Sequence, residues 1–360
     1  MKHLPAIAVF VVSALTGYVA SLSGVPLAWV LGSLVPTALG SIFGVDVFAP
    51  KRGRKLGQLI VGTSIGLSLT VAAVGMIATW FPVMLLTALV SILATALLCV
   101  PFSRVSRVNI PTAFFSLTPG GLAEMARTGA KEGAQREAVA FSQTIRVTLL
   151  VCILPSLLLN FGIDGGLPQN SERSLLSLDQ LGIVFAVAAL CVYLVRFTGA
   201  NNTWMIGGLL GAGIVAASGM VEGRVPYAIF AFGQFMIGIS IGARFKRESL
   251  VQLPRICLMS ALFVACMTTM LFGYAVLVHL VTGLDLSGMT LSASPGGLAE
   301  MALTAQVLHL NTALITSFHV VRSFIINAYS PQFYHLFRKI GLFDKMEALL
   351  DRMVGPRRQQ

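Results

Sequence analysis

Charged residues are scarce in this sequence, and their scarcity decides the class of protein. Asp, Glu, Lys and Arg make up 11% of the chain, whereas soluble domains carry roughly 25%. Hydrophobic residues account for 56%, and the mean hydropathy is +0.84. Apolar runs of about 20 residues recur, and each is long enough to cross the ~30 Å hydrocarbon core of a bilayer as a helix. The composition excludes a soluble globular domain and predicts an all-α polytopic membrane protein.

The sequence also lacks the patterns that enzymes and metal proteins carry. Its five cysteines lie in apolar runs without Cys-x-x-Cys spacing, which indicates neither a disulfide framework nor a metal site. Its five histidines show no paired ligand spacing, so a copper or zinc centre has no visible ligands. It contains no phosphate-binding loop, dinucleotide fingerprint, nucleophile–base arrangement or DNA-reading module. We therefore expect no enzymatic activity, no cofactor, no metal and no nucleic-acid partner.

A duplicated unit is the most informative feature that the sequence does contain. The octapeptide Pro119-Gly-Gly-Leu-Ala-Glu-Met-Ala126 recurs unchanged as Pro295-Gly-Gly-Leu-Ala-Glu-Met-Ala302. A second motif, Gly57-Gln58-x3-Gly62-x-Ser64-Ile65-Gly66, recurs as Gly233-Gln234-x3-Gly238-x-Ser240-Ile241-Gly242. In both cases the second copy lies 176 residues after the first. Because both copies retain glycines and charges, which membranes disfavour, the duplication indicates a paired site. Further pairs at nearly the same offset are Arg146 with Arg322 and Trp29-x2-Gly32 with Trp204-x2-Gly207.

Ten spanning helices are predicted, five in each copy, together with one further broken apolar stretch per copy. The predicted domains are a first membrane repeat (1–163), an external linker (164–177), a second membrane repeat (178–336) and a cytoplasmic tail (337–360). The broken stretches cover 109–130 and 286–307, and each has a Pro-Gly-Gly sequence in its middle. The predicted spans are 4–22, 26–48, 55–70, 72–101 and 138–160, followed by 180–196, 203–221, 226–243, 255–281 and 311–334.

The distribution of basic residues predicts the orientation of these spans. With the N-terminus inside and the broken stretches folded as re-entrant hairpins, most of the 25 basic residues fall on the cytoplasmic side. Arg173 and Arg224 fall outside, while Arg146 and Arg322 lie within spans. Because five spans per copy is an odd number, the second copy enters the membrane in the opposite orientation. The sequence therefore predicts two inverted-topology repeats, each of five transmembrane helices and a broken re-entrant hairpin, an arrangement typical of secondary transporters.

The Pro-Gly-Gly breaks are the first candidate substrate site. We expect the hydroxyl of Thr118 or Ser294 to cap a half-helix that begins at the following proline near mid-membrane. Unshielded backbone N–H groups and the positive end of the helix dipole would then attract an anionic or dipolar group. A tightly packed proline–glycine kink is the alternative. The candidate residues are Thr118, Pro119, Gly120 and Gly121 in the first copy, and Ser294, Pro295, Gly296 and Gly297 in the second.

Paired charged and polar residues follow each break. Glu124 and Glu300 are candidates for proton or cation coupling, or carboxylates stabilised by the helix start. Arg146 and Arg322 need an anionic partner or backbone carbonyls, so they bind either a substrate carboxylate or a glutamate in a structural pair. One turn before these arginines lie Gln143 and His319, which we assign to ion coupling or to hydrogen bonds between helices.

The glycine motif carries the last candidate pair. Gln58 and Gln234 either line a pathway or belong to a helix-packing surface, since small residues recur every three to four positions around them. Trp29 and Trp204 are expected near a membrane interface.

Taken together, these motifs resemble the AbrB-type family of bacterial membrane proteins, which also carries an ammonia monooxygenase label. The resemblance covers nearly the whole chain, but His319 replaces a glutamine and Asn201 stands where Pro26 does in the first copy. The family labels imply an effect on gene expression or an oxidative enzyme. Because the sequence has neither a DNA-binding module nor metal ligands, a regulatory effect would be indirect. The motifs that carry the resemblance are 118–125, 294–301, 143–146, 26–32 and 57–66.

The predicted function is secondary transport of a small anionic solute across the bacterial inner membrane, coupled to H⁺ or Na⁺. A membrane sensor that affects gene expression through a partner is the second hypothesis, and a membrane monooxygenase is the third. Both termini are expected in the cytoplasm. The expected partners are a small-molecule solute, H⁺ or Na⁺ and membrane lipid, with a homodimer left open.

Overall fold

All named secondary-structure elements in the described residues are helices. The structure, a computed structural model, describes residues 4–67, 71–160, 174–199, 202–221 and 223–354. Within these ranges the only strand-like pairing is an isolated bridge between Leu175 and Arg224. The helices are α1 (Leu4–Leu22), α2 (Ala28–Ile42), α3 (Lys51–Gly66), α4 (Val71–Ser106), α5 (Ile110–Leu117), α6 (Leu122–Lys131), α7 (Arg136–Asn160), α8 (Leu178–Val195), α9 (Thr203–Ala217), α10 (Tyr227–Gly242), α11 (Arg247–Gln252), α12 (Pro254–Thr282), α13 (Leu286–Ala293), α14 (Leu298–Val307), α15 (Thr312–Lys339) and α16 (Leu342–Val354).

Several of these helices have the length and composition of membrane spans. Three shorter apolar helices, α2, α9 and α10, accompany them. The prediction of an all-α membrane protein is confirmed, and a helix lies at each of the ten predicted spans. The five described helices that meet the length and hydropathy of a span cover Pro5–Leu22, Ala78–Ser106, Arg136–Asn160, Leu178–Thr198 and Pro254–Thr282.

Some helix boundaries differ from those predicted. The span predicted at 26–48 forms a helix only to Ile42, because Gly44 adopts a positive φ of 83° that ends the turn. Conversely, α4 continues past Pro101 to Ser106. Of the predicted linker 164–177, residues 164–173 lie outside the described ranges. Its described end pairs with Arg224, whose backbone N–H donates to the Ser174 carbonyl at 3.0 Å.

The described helices divide into two compact units that do not coincide with the two sequence repeats. The first unit comprises the described parts of Met1–Phe81, Leu150–Glu248 and Leu298–Val320. The second comprises those of Pro82–Leu149, Ser249–Gly297 and Val321–Gln360. Each unit therefore contains helices from both repeats, so neither repeat forms a compact body of its own.

Close helix crossings hold the first unit together. In this unit α3 packs on α9 and α10, while α2 packs on α1 and α10. A Cβ atom on Gly62 would clash with the Met205 carbonyl oxygen of α9. At the equivalent position of the other repeat, a Cβ on Gly238 would clash with the Val30 carbonyl oxygen of α2. The glycine motif of each repeat is therefore a contact surface at which backbones nearly touch.

The register of these crossings gives the helix directions. A Cβ on Gly242 would lie 2.6 Å from the Leu34 oxygen, one turn beyond the contact of Gly238 with Val30, so α10 and α2 run parallel. Between α3 and α10, contacts that advance along one helix move backward along the other. A Cβ on Gly53 would lie 2.8 Å from Met236 Sδ, whereas a Cβ on Gly233 would lie 3.0 Å from Ile60 Cγ2. The equivalent helices α3 and α10 therefore run antiparallel.

An aromatic cluster forms the core of the second unit. The Phe114 ring on α5 lies 5.4 Å from Tyr334 on α15 and 6.3 Å from Phe343 on α16, measured between ring centroids. In the same core, the rings of Phe102 on α4 and Phe263 on α12 lie 5.3 Å apart. Arg104 at the end of α4 donates to the Glu347 carbonyl at 3.0 Å and forms an ion pair with Asp351. Helix α16 is thereby attached to α4 and to α5, the first helix of the first broken hairpin.

Candidate functional site

Each Pro-Gly-Gly sequence separates two short helices, as predicted, but the second helix begins later than expected. Thr118 has an extended backbone (φ −57°, ψ 123°), which suits the residue before a proline. Gly121, not Thr118, is the N-cap of α6. The expectation of a hydroxyl cap was wrong: the hydroxyls of Thr118 and Ser294 donate backward, to the carbonyls of Phe114 and Leu291. The low helix propensity of paired glycines accounts for the delayed start.

The two buried arginines each hold one break through its carbonyl oxygens. Arg146 is 2% exposed, and its Nη1 and Nη2 donate to the carbonyls of Thr118 at 2.8 Å and Gly120 at 3.1 Å. Arg322, equally buried, donates from Nη1 to the Ser294 carbonyl and from Nη2 to the Gly296 carbonyl at 2.7 Å. These acceptors occupy equivalent positions in the two repeats. The guanidinium groups therefore satisfy backbone carbonyls that the broken helices leave open.

Gln143 strengthens the carbonyl side of the first break. Its Nε2 lies 2.8 Å from the carbonyl oxygens of Phe115 and of Thr118, and the residue is fully buried. His319 occupies the equivalent position on α15 and is 1% exposed. Because α5 ends at Leu117, its last carbonyls have no partners within the helix, and Gln143 supplies one from α7. The role in ion coupling that we predicted for Gln143 and His319 stays a prediction.

The identical octapeptides lie in different environments. Glu124 on α6 forms an ion pair with Arg127, and Thr128 Oγ1 approaches the same carboxylate oxygen at 3.3 Å. The Glu124 side chain is 19% exposed and that of Arg127 is 61% exposed. Glu300 on α14 is only 5% exposed, and its neighbours in the first turns of α14 are also buried. The two carboxylates therefore have equivalent sequences but unequal access to solvent.

Asn327 is a residue at the first break that the sequence analysis missed. Its Oδ1 accepts a hydrogen bond from the Gly121 backbone N–H at 2.9 Å, and its Nδ2 donates to Ser323 Oγ at 3.0 Å. The position equivalent to Asn327 in the first repeat is Val151. An asparagine in an apolar helix, aligned with a valine, was the signal that could have identified it.

The predicted pair Gln58 and Gln234 lies in the first unit, in the helix-packing surface. Both side chains are buried, and Gln58 Nε2 donates to Asn202 Oδ1 at 3.3 Å. In the same motif, Ser64 Oγ accepts from Gln306 Nε2 at 2.9 Å, which ties α14 to α3. Among the residues that the structure describes, no three His, Cys, Asp or Glu side chains come together in a metal-binding arrangement.

Comparison with known proteins agrees with the motifs. The chain is 26% identical over 350 residues to the uncharacterized protein YhjN of Bacillus subtilis (strain 168), covering 90% of this chain and 91% of that protein. It is also 26% identical over 319 residues to a protein of Escherichia coli (strain K12) that is named, provisionally, as the regulator AbrB. That match covers 85% of this chain and 88% of the relative. The family described as "Transition state regulatory protein AbrB" matches residues 6–338, and the chain therefore belongs to the AbrB family.

Proposed function

We propose that this protein is a secondary transporter that moves a small anionic solute across the bacterial inner membrane, coupled to H⁺ or Na⁺. The observation that carries this proposal is the pair of broken helices, each held by a buried arginine at the same position of its repeat. Irregular backbone is tolerated within a membrane where it is buried in protein or lines a water-filled cavity, and discontinuous helices form the substrate sites of many secondary transporters.

The proposed transporter has two inverted-topology repeats. The antiparallel register of α3 and α10, which are equivalent in sequence, supports this arrangement. The parallel register of α2 and α10 supports it as well. Helix α10 follows α9, the equivalent of α2, and consecutive spans run in opposite directions, so α2 and α9 would also be antiparallel. We propose that both termini lie in the cytoplasm, which the distribution of basic residues in the sequence favours.

Electrostatics favours an anion as the solute. Arg146 and Arg322 are both buried and lie in the same compact unit. Two buried guanidinium groups create a positive potential, which an anionic solute lowers. The planar guanidinium also matches the geometry of a carboxylate, so organic acids are the first class to test.

A ligand screen followed by reconstitution tests the proposal. We expect carboxylates in a panel of organic acids and amino acids to raise the melting temperature of the purified protein, whereas ammonium leaves it unchanged. A stabilising acid should then accumulate in proteoliposomes only when an H⁺ or Na⁺ gradient is imposed. Absence of gradient-driven uptake of every stabilising acid contradicts transport.

A membrane sensor is the second candidate, and the name of the Escherichia coli relative favours it. In this alternative the breaks bind a solute without moving it, and a cytoplasmic partner receives the signal. A solute that stabilises the protein but does not accumulate in vesicles, together with a partner that co-purifies only when that solute is present, supports sensing. We propose no enzymatic chemistry for the site.

A further inference from the structure

Helix α15 contacts both breaks. Arg322 on this helix binds the carbonyls of Ser294 and Gly296 in the second break. Asn327, about a turn and a half later on the same helix, binds the Gly121 N–H of the first break. One rigid helix therefore contacts the carbonyl side of one break and the amide side of the other.

The contact at Asn327 depends on close approach. A Cβ on Gly120 would lie 2.9 Å from Asn327 Oδ1 and 2.8 Å from Met125 Sδ, so a side chain at that position would displace the amide. The hydrogen bond from Nδ2 to Ser323 Oγ fixes which end of the amide faces Gly121. Gly121 is the N-cap of α6, and its own N–H, which no carbonyl of the helix accepts, is the donor that binds Asn327.

The first repeat has no equivalent of this contact. Val151 on α7 occupies the position of Asn327, is fully buried and has no hydrogen-bond acceptor in its side chain. Both repeats therefore have the buried arginine, but only the second repeat has the asparagine. Packing of the duplicated fold does not require an asparagine at this position, since the first repeat buries a valine there.

We propose that Asn327 is a positioning residue that couples the two breaks, so that a displacement of the Arg322-bound break shifts the start of α6. This role rests on the proposed transport function, in which the breaks of both repeats respond to the same solute. Asn327 does not itself need to touch the solute, because it acts through the Gly121 N–H. Its effect is a coupling free energy between two sites of the chain.

A double-mutant cycle tests the coupling without any solute. The reporter is Ala123→Cys, on the exposed side of α6, in the full-length protein with its native cysteines replaced. Its rate of reaction with a maleimide is measured with Arg322→Lys, with Asn327→Val and with both. We expect Arg322→Lys to change the rate at least about threefold when Asn327 is present, and not to change it in the Asn327→Val background.

Two controls and one substitute variant make the result specific. Asn327→Asp keeps an acceptor oxygen for Gly121, and its second oxygen can accept from the Ser323 hydroxyl, so this variant should preserve the coupling. A cysteine in place of Lys345, which is exposed on α16, should react at one rate in all variants when it is the only cysteine. If Asn327→Val fails to fold, Ser323→Ala replaces it, since loss of the Nδ2 hydrogen bond should weaken the coupling.

The proposal is overturned if Arg322→Lys changes the Ala123→Cys rate by the same factor with and without Asn327, or changes it in neither background. This outcome is separate from that of the uptake assay. A protein that transports without coupling between the breaks retains the proposed function and loses this role for Asn327. A protein that shows the coupling but accumulates no solute loses the transport proposal alone.

Discussion

At the scale of single residues, the unequal exposure of the duplicated glutamates gives a direct test of ion coupling. Glu300 is buried, whereas Glu124 is partly exposed and paired with Arg127. A glutamine at either position cannot take up a proton, but only the buried carboxylate is shielded from bulk water. We expect Glu300→Gln to change the pH or Na⁺ dependence of ligand binding more than Glu124→Gln does, as measured by melting shifts at several pH and Na⁺ values. Unchanged ion dependence in both variants would contradict a coupling role.

The arginines give a second test at this scale. Lysine keeps the charge of Arg146 or Arg322 but cannot bind two carbonyls of a break with a planar fork. Each lost hydrogen bond to a charged group costs about 1.5–3 kcal/mol, so both substitutions should lower the melting temperature as well as ligand binding. Arg127→Lys is the matched control. Its exposed ion pair is worth at most about 1 kcal/mol, and an equal loss of stability there would argue against the role of the carbonyl contacts.

Among single residues, the sequence predicted the paired arginines, glutamates and glycines but not their partners. Arg146 was expected to need an anion or backbone carbonyls, and only the three-dimensional contacts show that carbonyls of the break accept its hydrogen bonds. Thr118 was misplaced as an N-cap because the helix start depends on the two following glycines. Asn327 was overlooked because its partner, Gly121, lies about two hundred positions away and in the other repeat.

At the scale of helices, the glycine motif should tolerate no added methyl group. A Cβ on Gly62 or Gly238 would meet a carbonyl oxygen of the neighbouring helix inside van der Waals distance. Overpacking of this kind costs typically about 1–3 kcal/mol, so Gly62→Ala and Gly238→Ala should each lower the melting temperature. Gly273→Ala on α12 is the control, because nothing lies within 4 Å of its added Cβ. Equal stability of all three variants would show that the crossings are looser than described.

The positions of the helices were predicted better than any other part of the fold. Apolar runs and Pro-Gly-Gly breaks are local sequence signals that show where helices lie and where they end. The pairing of α3 with α9 and α10 could not be predicted, since nothing in a glycine-rich surface identifies its partner. The division into units that mix the two repeats was likewise unexpected, because sequence similarity suggests two bodies of equal extent.

At the scale of the whole molecule, the basic clusters predict which loops face the cytoplasm. Single cysteines at Arg54 and Arg247 should react with a membrane-impermeant reagent only after the cytoplasmic side is opened. Cysteines at Asp285 and at Glu172, which lies outside the described ranges, should react in intact cells. The same orientation for corresponding loops of the two repeats would rule out inverted topology.

The mixed composition of the units has a consequence for biosynthesis. The first break is translated long before α15, so Gly121 has left the ribosome well before the asparagine that binds its N–H is synthesised. Helix α3 similarly precedes α9 and α10, on which it packs. A chain ending in the linker would therefore lack partners for both, and we expect it to be degraded. The two halves expressed together as separate polypeptides should recover the folded protein, since their partners then meet in the same membrane.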